Sequence, residues 1–259
     1  MVLDAIILAA GQASRIGLPK ALLPAGPGHT LLSRVITLAV DAVHGTVLIV
    51  VGNEPEMMQA EIARCRAMLG RGWQRLRTIV NQAYLQGQST SLVAAIREVR
   101  TKATLVLLVD QPALELDHVR RLVTTWRGRP SPVVGVASAS GGRQRTPVVL
   151  GAELFPELLE LEGDEGARRV LRRHPTHVQL VEGTDDACQM DVDAWDDYVR
   201  LARLLAWDRE RVEEPSLTGP PPSEPRSLVQ EWVVTRAREA DPTRRLAALR
   251  HLALAALQS

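Results

Sequence analysis

The chain has 259 residues, and its 31 basic and 30 acidic side chains leave a formal charge of +1, so no surface for a long polyanion is implied. Aromatic residues are 3% against 46% apolar, which calls for a core of Leu, Val, Ala and Ile and disfavours ring platforms for single-stranded nucleic acid. Cys65 and Cys188 form neither a C-x-x-C pair nor a disulfide framework, no run approaches the ~18 apolar residues of a membrane span, and no basic region precedes the first apolar run. A soluble, cytoplasmic protein with no nucleic-acid or membrane partner is expected.

The apolar run at residues 5–10 has the length of a buried strand and breaks at Gly11 into a loop of small residues carrying Arg15, Gly17, Pro19 and Lys20. Ala9, Ala10 and Gly11 carry little side chain at the turn, so backbone N–H groups there can approach phosphate oxygens. Arg15 offers a planar fork of donors and Lys20 a point charge, and no acidic residue occurs between Asp4 and Asp41. The loop suits an anion; the alternative is an ordinary strand-to-helix turn with both cations solvated. It is neither a Walker A sequence nor G-x-G-x-x-G, which leaves a dinucleotide site without support.

Strands and helices then alternate. A helix is predicted over 30–43 with Thr30 as N-cap, a strand over 46–51, a helix over 54–69 carrying Cys65 and ended by Gly70, and a strand over 76–80 running into Asn81. The polar stretch 81–92 leads into a helix, with Gly87 before it and Ser89 or Ser91 as cap, a second place where free N–H groups could meet a ligand. Residues 103–109 form the most apolar strand and end at Asp110-Gln111-Pro112, where α/β sheets bind ligands. Asp117 is expected to cap a helix, 132–137 and 141–150 to be β-rich, and 153–161 to be helical, with Gly163 ending it and Asp164 capping the next. His174 and His177 read as loop residues, 178–181 as a strand, and 189–193 as an alternating strand that sends Asp191 and Asp193 to one face, Asp193 being placed to cap the helix from 194.

Residues 213–225 have the composition of a semi-rigid linker. Beyond it, Ser227 to Gln230 read as a capping box and Asp241-Pro242 as the start of a second helix. Such a hairpin cannot bury its own apolar face, so it should dock on the main domain or on a partner. The expected organisation is 1–207 as the main domain, 208–226 as linker and 227–259 as helical hairpin.

The pattern L-A-A-G-x-x-S-R-x-G-x-P-K at residues 8–20 resembles the signature of the MobA-like nucleotidyltransferases. It is most similar to their molybdenum cofactor cytidylyltransferase branch, because the guanylyl branch reads L-A-G-G. The resemblance extends from residue 6 to about 205. It implies a doubly wound, mostly parallel α/β sheet of the nucleotide-diphospho-sugar transferase kind, here followed by the C-terminal helical hairpin.

The resemblance further implies that Leu8, Ala9, Ala10, Gly11, Arg15 and Lys20 meet the triphosphate and that Asn81, Gly87 and Ser91 approach the base and ribose. The family's G-D-x-P reads V-D-Q-P here, with Val109 for Gly, and makes Asp110 a metal ligand. Its D-I-D-T-P-E-D reads D-V-D-A-W, with Ala194-Trp195 for Thr-Pro, and makes Asp191 the second ligand. Residues 163–168, G-D-E-G-A-R, match the family's G-D-x-G-A-R, whereas its Gly-His-Pro is replaced by Arg145-Thr146-Pro147. Arg143 and Arg145 are left either to meet an anionic acceptor or to be solvated.

The implied reaction moves CMP from CTP, favoured over GTP, to a small phosphate-bearing acceptor such as molybdopterin, with Mg²⁺ or Mn²⁺ and release of pyrophosphate. Arg15, Lys20 and Asp110 would carry the catalysis, and a molybdoenzyme would receive the product. The other readings are a nucleotidyltransferase for a sugar phosphate or another alcohol phosphate, and a non-catalytic carrier that retains nucleotide or cofactor without turnover.

Overall fold

The structure, a computed structural model, describes residues 2–13, 15–183, 190–207 and 225–258. Cys188 and most of the proline-rich linker lie outside the described residues.

The four apolar runs of the N-terminal half become adjacent parallel strands: β1 (Asp4–Ala9), β2 (Val47–Val51), β3 (Leu76–Val80) and β4 (Ala103–Leu108). Every residue of β1 and β2 is buried, as expected of strands covered on both faces, whereas β3 lies at the sheet edge and is half open. The full order is β3-β2-β1-β4-β6-β5-β7, with β5 (Gly135–Ser140), β6 (Arg143–Gly151) and β7 (Val178–Glu182) completing seven strands. Strand β6 runs antiparallel to both β4 and β5; all other pairs are parallel. The β5–β6 hairpin closes through Gly141 and Gly142, both at positive φ.

Helices α1 (Leu31–Ala42), α2 (Pro55–Met68), α4 (Leu116–Arg127) and α7 (Trp195–Leu204) belong to one buried layer, and α3 (Gln88–Ile96), α5 (Phe155–Leu159) and α6 (Ala167–Arg173) to the layer on the opposite face. At the amino ends of the strands, buried Asp4 accepts from the backbone N–H groups of Thr46, Arg100 and Thr101 and ties the connections entering β2 and β4 to the start of β1. The opposite, carboxyl ends are therefore the ones free to carry loops and a ligand.

Helices α8 (Pro225–Arg238) and α9 (Pro242–Gln258) pack against each other, and α9 packs on α2. Leu228, Trp232, Leu249 and Leu257 are buried in the α1/α2 layer, so the hairpin's apolar stripe is covered by the chain itself. The stretch 190–193 is irregular rather than a strand, although Val192 still points into the core. Two terminal helices keep the expected caps only in part: Asp241 accepts from the N–H of Arg244, whereas α8 starts at Pro225, ahead of the predicted box.

Candidate active site

The strand order reverses between β1 and β4, and there the loops after both strands face each other across a cleft of about 300 Å³. Its walls include Leu8, Ala9, Ala10 and Gly11 at the end of β1, Lys20, Gly87 and Ser91 at the start of α3, and Val109 and Asp110 after β4. Eight of the sequence-predicted site residues thus meet in one place. A side chain on Gly11 would enter open space, so the glycine leaves room in the cleft rather than satisfying a packing need.

Lys20 opens a single 3-10 turn, Lys20–Leu22, pinned by the buried side chains of Ala21 and Leu22. That anchor directs its ammonium onto Asp110 Oδ2 at 3.1 Å, in a pair whose side chains are 14% and 24% exposed. The other oxygen, Asp110 Oδ1, is buried and has no hydrogen-bond partner among the described residues. A carboxylate oxygen left in that state calls for a cation or donor supplied from outside. Val109, which replaces the family's glycine, donates to the carbonyl of Leu8 and is buried, so the substitution fits the ladder between β1 and β4.

The remaining residues surround this pair. The N–H of Val192 donates to the carbonyl of Asp110 at 2.8 Å and brings the 190–193 segment against the β4 loop. Gln111 Nε2 donates to Asp191 Oδ1 at 2.9 Å. Burial first, and the charges of Asp110 and Asp193 after it, raise the Asp191 carboxyl above the ordinary aspartate range, while the Gln111 hydrogen bond opposes the shift. Asp193 does not cap α7; that task falls to Asp197, which accepts from the N–H groups of Asp193 and Ala194. Asp193 instead faces cations, with Arg15 at 3.5 Å and Lys20 at 3.9 Å. Among the described residues no group of three or more His, Cys, Asp or Glu is gathered as a metal cage.

Besides Asp191, which meets Gln111 outside the cleft lining, two predicted residues stand apart from the cleft wall. Arg15 is 71% exposed and held at the rim by Asp193. Asn81 is buried beneath the floor, where its amide donates to Thr90 and Ser91 and accepts from the N–H of Ala83, so it shapes the turn before α3 rather than lining the cleft. Neither Ser89 nor Ser91 caps α3: Gly87 is its N-cap, at φ 118°, and both serines lie within the helix.

Asp164 is a further correction. It lines the cleft, while α6 begins from Gly166 without a side-chain cap. The placement follows from a close backbone approach, since Ser89 N donates to the carbonyl of Gly163 and a Cβ on Gly87 would lie 2.1 Å from that same oxygen. The G-D-E-G-A-R hexapeptide was the available signal. Its aspartate also satisfied a generic capping rule, and that rule concealed its position. Likewise Asp117 lies within the first turn of α4, whose N-cap is Glu115. Cys65 is not placed as a nucleophile: it is buried on α2, and burial followed by the nearby Glu61 pushes its thiol up to about 12.

The profile of the MobA-like NTP transferase domain matches residues 5–178. The chain belongs to the MobA-like NTP transferase family. Nicotine blue oxidoreductase of Paenarthrobacter nicotinovorans is 34% identical over 205 residues, covering 76% of this chain and 94% of the relative. Molybdenum cofactor guanylyltransferase of Mesorhizobium japonicum is 31% identical over 215 residues, covering 77% and 94%. Among solved structures, Rv0371c of Mycobacterium tuberculosis superposes with a TM-score of 0.63 at 24% identity, over 78% of this chain and 98% of that one, a likeness of fold. About a quarter of this chain has no counterpart in these MobA-like relatives.

The raised Asp191 carboxyl yields an expectation with a definite sign. The folded protein keeps this proton to higher pH than the unfolded chain, so its contribution to stability is present below the ordinary aspartate value and is lost as pH rises through the raised one. In chelator, Asp191→Asn should therefore melt no lower than the parent at pH 7, and the gap between them should close in acid. A variant that melts below its parent at pH 7 would show that the ionised carboxylate supports the fold.

Proposed function

We propose that this MobA-like protein transfers a nucleoside monophosphate, CMP from CTP in preference to GMP from GTP, to a phosphate-bearing acceptor of the molybdopterin kind, releasing pyrophosphate. The observation that carries the reading is Asp110: it ends the central strand β4, pairs with Lys20 of the signature loop and keeps a buried oxygen free. The L-A-A-G start of the loop supports the cytidyl preference, and the relative named molybdenum cofactor guanylyltransferase supports the acceptor class.

Asp110 and Asp191 would hold Mg²⁺ or Mn²⁺, and Rv0371c of the same fold has been solved with manganese. When bound, the ion supplies Lewis-acid polarisation of phosphoryl oxygens and offsets their charge. Lys20 and the amides around Ala10 and Gly11 would lie along the β- and γ-phosphates and balance charge growing on the departing pyrophosphate. Arg15, at the rim, would close on the triphosphate after leaving Asp193. An oxygen of the acceptor phosphate bonds to the α-phosphorus as the bridging oxygen leaves with pyrophosphate, with no covalent protein intermediate.

The deciding experiment measures pyrophosphate release from CTP, GTP, ATP and UTP, each with molybdopterin and with a sugar phosphate, in Mg²⁺ and in Mn²⁺. Release that needs CTP, molybdopterin and metal is the expected result. Release with the sugar phosphate alone would transfer the assignment to that acceptor. Nucleotide retained without pyrophosphate would make the protein a carrier, and oxidation or reduction of nicotine blue without pyrophosphate would align its chemistry with the name of the Paenarthrobacter relative.

A further inference from the structure

Among the described residues between Gly11 and Lys20, Ile16 N and Gly17 N donate to the carbonyl of Ala13. Its second glycine, Gly17, is at φ +72°, and a Cβ there would lie 2.9 Å from Cγ2 of Val229 on α8. The loop's end is touched as well, because α9 packs on the Lys20–Leu22 turn.

A third contact reaches the loop's beginning. Glu54, before α2, has a side chain only 8% exposed and is held by Arg236 Nη2 at 2.8 Å and Arg245 Nη1 at 3.9 Å, while Arg245 Nη2 also meets Glu56 at 2.9 Å. The preceding residue, Asn53, donates its N–H to the carbonyl of Ala10, where the loop starts.

We propose that the α8–α9 hairpin is a clamp that sets the geometry of the anion loop, with Val229 as a positioning residue acting through Gly17. The proposal rests on the nucleotidyltransferase reading for its consequence, though not for its structural readout. A loop that presents amides and a lysine to a polyphosphate is effective only if its geometry exists before the ligand arrives. This loop turns on a glycine at positive φ that meets Val229 directly, so the element covering it sets its geometry. Burial alone would require only that the hairpin's stripe meet some apolar surface. Instead it touches the middle and end of the loop and, through Glu54 and Asn53, its start.

The test uses the full chain with Val229→Ala, Val229→Thr and, as a control on the exposed side of α8, Val233→Ala, which is 57% exposed in the parent residue. Amide hydrogen exchange is followed in peptides spanning residues 11–20, together with melting temperature and KM and kcat for the nucleoside triphosphate. Val229→Ala should speed exchange in the loop by about tenfold and raise KM about fivefold with kcat changed less than about twofold, as expected when local opening rather than global unfolding is altered. Val229→Thr, which keeps the β-branched shape, should restore both, and Val233→Ala should leave both unchanged.

Loop exchange unaffected by Val229→Ala overturns the clamp, as does a uniform rise across the whole chain with a matching loss of melting temperature. If the parent uses no triphosphate, the proposed function falls, and the exchange data still decide whether the hairpin holds the loop.

Discussion

Asp110→Asn is expected to lower pyrophosphate release by about 10²–10³-fold, the loss typical of removing one charge-stabilising group from a reaction centre. The amide keeps the shape of the carboxylate but cannot match its charge toward a divalent cation. Stability should barely change, because Lys20 retains Asp193 at 3.9 Å and the side chain of Asp110 is 24% exposed. Direct Mn²⁺ titration should weaken in parallel with turnover. Full activity in this variant, or activity of the parent in excess chelator, would remove Asp110 from the chemistry.

Lys20→Ala should lower kcat/KM for the triphosphate by a similar factor of about 10² or more, since its ammonium lies 14% exposed in the cleft where charge on the leaving group would develop. Arg15→Ala should cost much less, because that side chain is 71% exposed and screened by solvent at the rim. The two lysine and aspartate variants should also be strongly non-additive: groups that act as a pair on the same phosphates lose most of their effect with the first deletion. If Lys20→Ala instead lost activity only in proportion to a fall in melting temperature, the Lys20–Asp110 pair would be a structural bond. If Arg15→Ala proved the more damaging, the rim would carry more of the triphosphate than the cleft does.

The polar side chains show most clearly what sequence reasoning can reach. Thr30 caps α1, accepting from Ser33 N, and Asp241 caps α9, both as their positions before helical patterns predict. The same rule fails for Ser89, Ser91, Asp117, Asp164 and Asp193. Ser91 and Thr90 receive the amide of Asn81, Asp164 lines the cleft, and Asp193 turns to Arg15 and Lys20. Capping is a generic capacity of short polar side chains, so local sequence can nominate them, but a stronger distant partner decides where each one goes. Asp191 and Asp193 lie opposite the buried Val192 as predicted, yet on an irregular extended segment, which alternates its side chains without belonging to the sheet.

By itself the sequence determined most of the succession of strands and helices, the burial of β1, β2 and β4, the small-residue loop from Leu8 to Lys20 and the acid at the end of β4. These follow from apolar periodicity and from small or charged residues at strand ends, signals contained within a dozen neighbours. Only the tertiary structure decided that β6 would enter antiparallel between β4 and β5, that Arg15 would stand at the rim while Asp164 entered the cleft, and that the hairpin would close over Gly17 and Glu54. Each of these joins residues far apart in the chain, up to about 210 positions for Gly17 and Val229. Their pairing depends on which surfaces remain uncovered once the sheet has formed, a property of the packed molecule that no local pattern encodes.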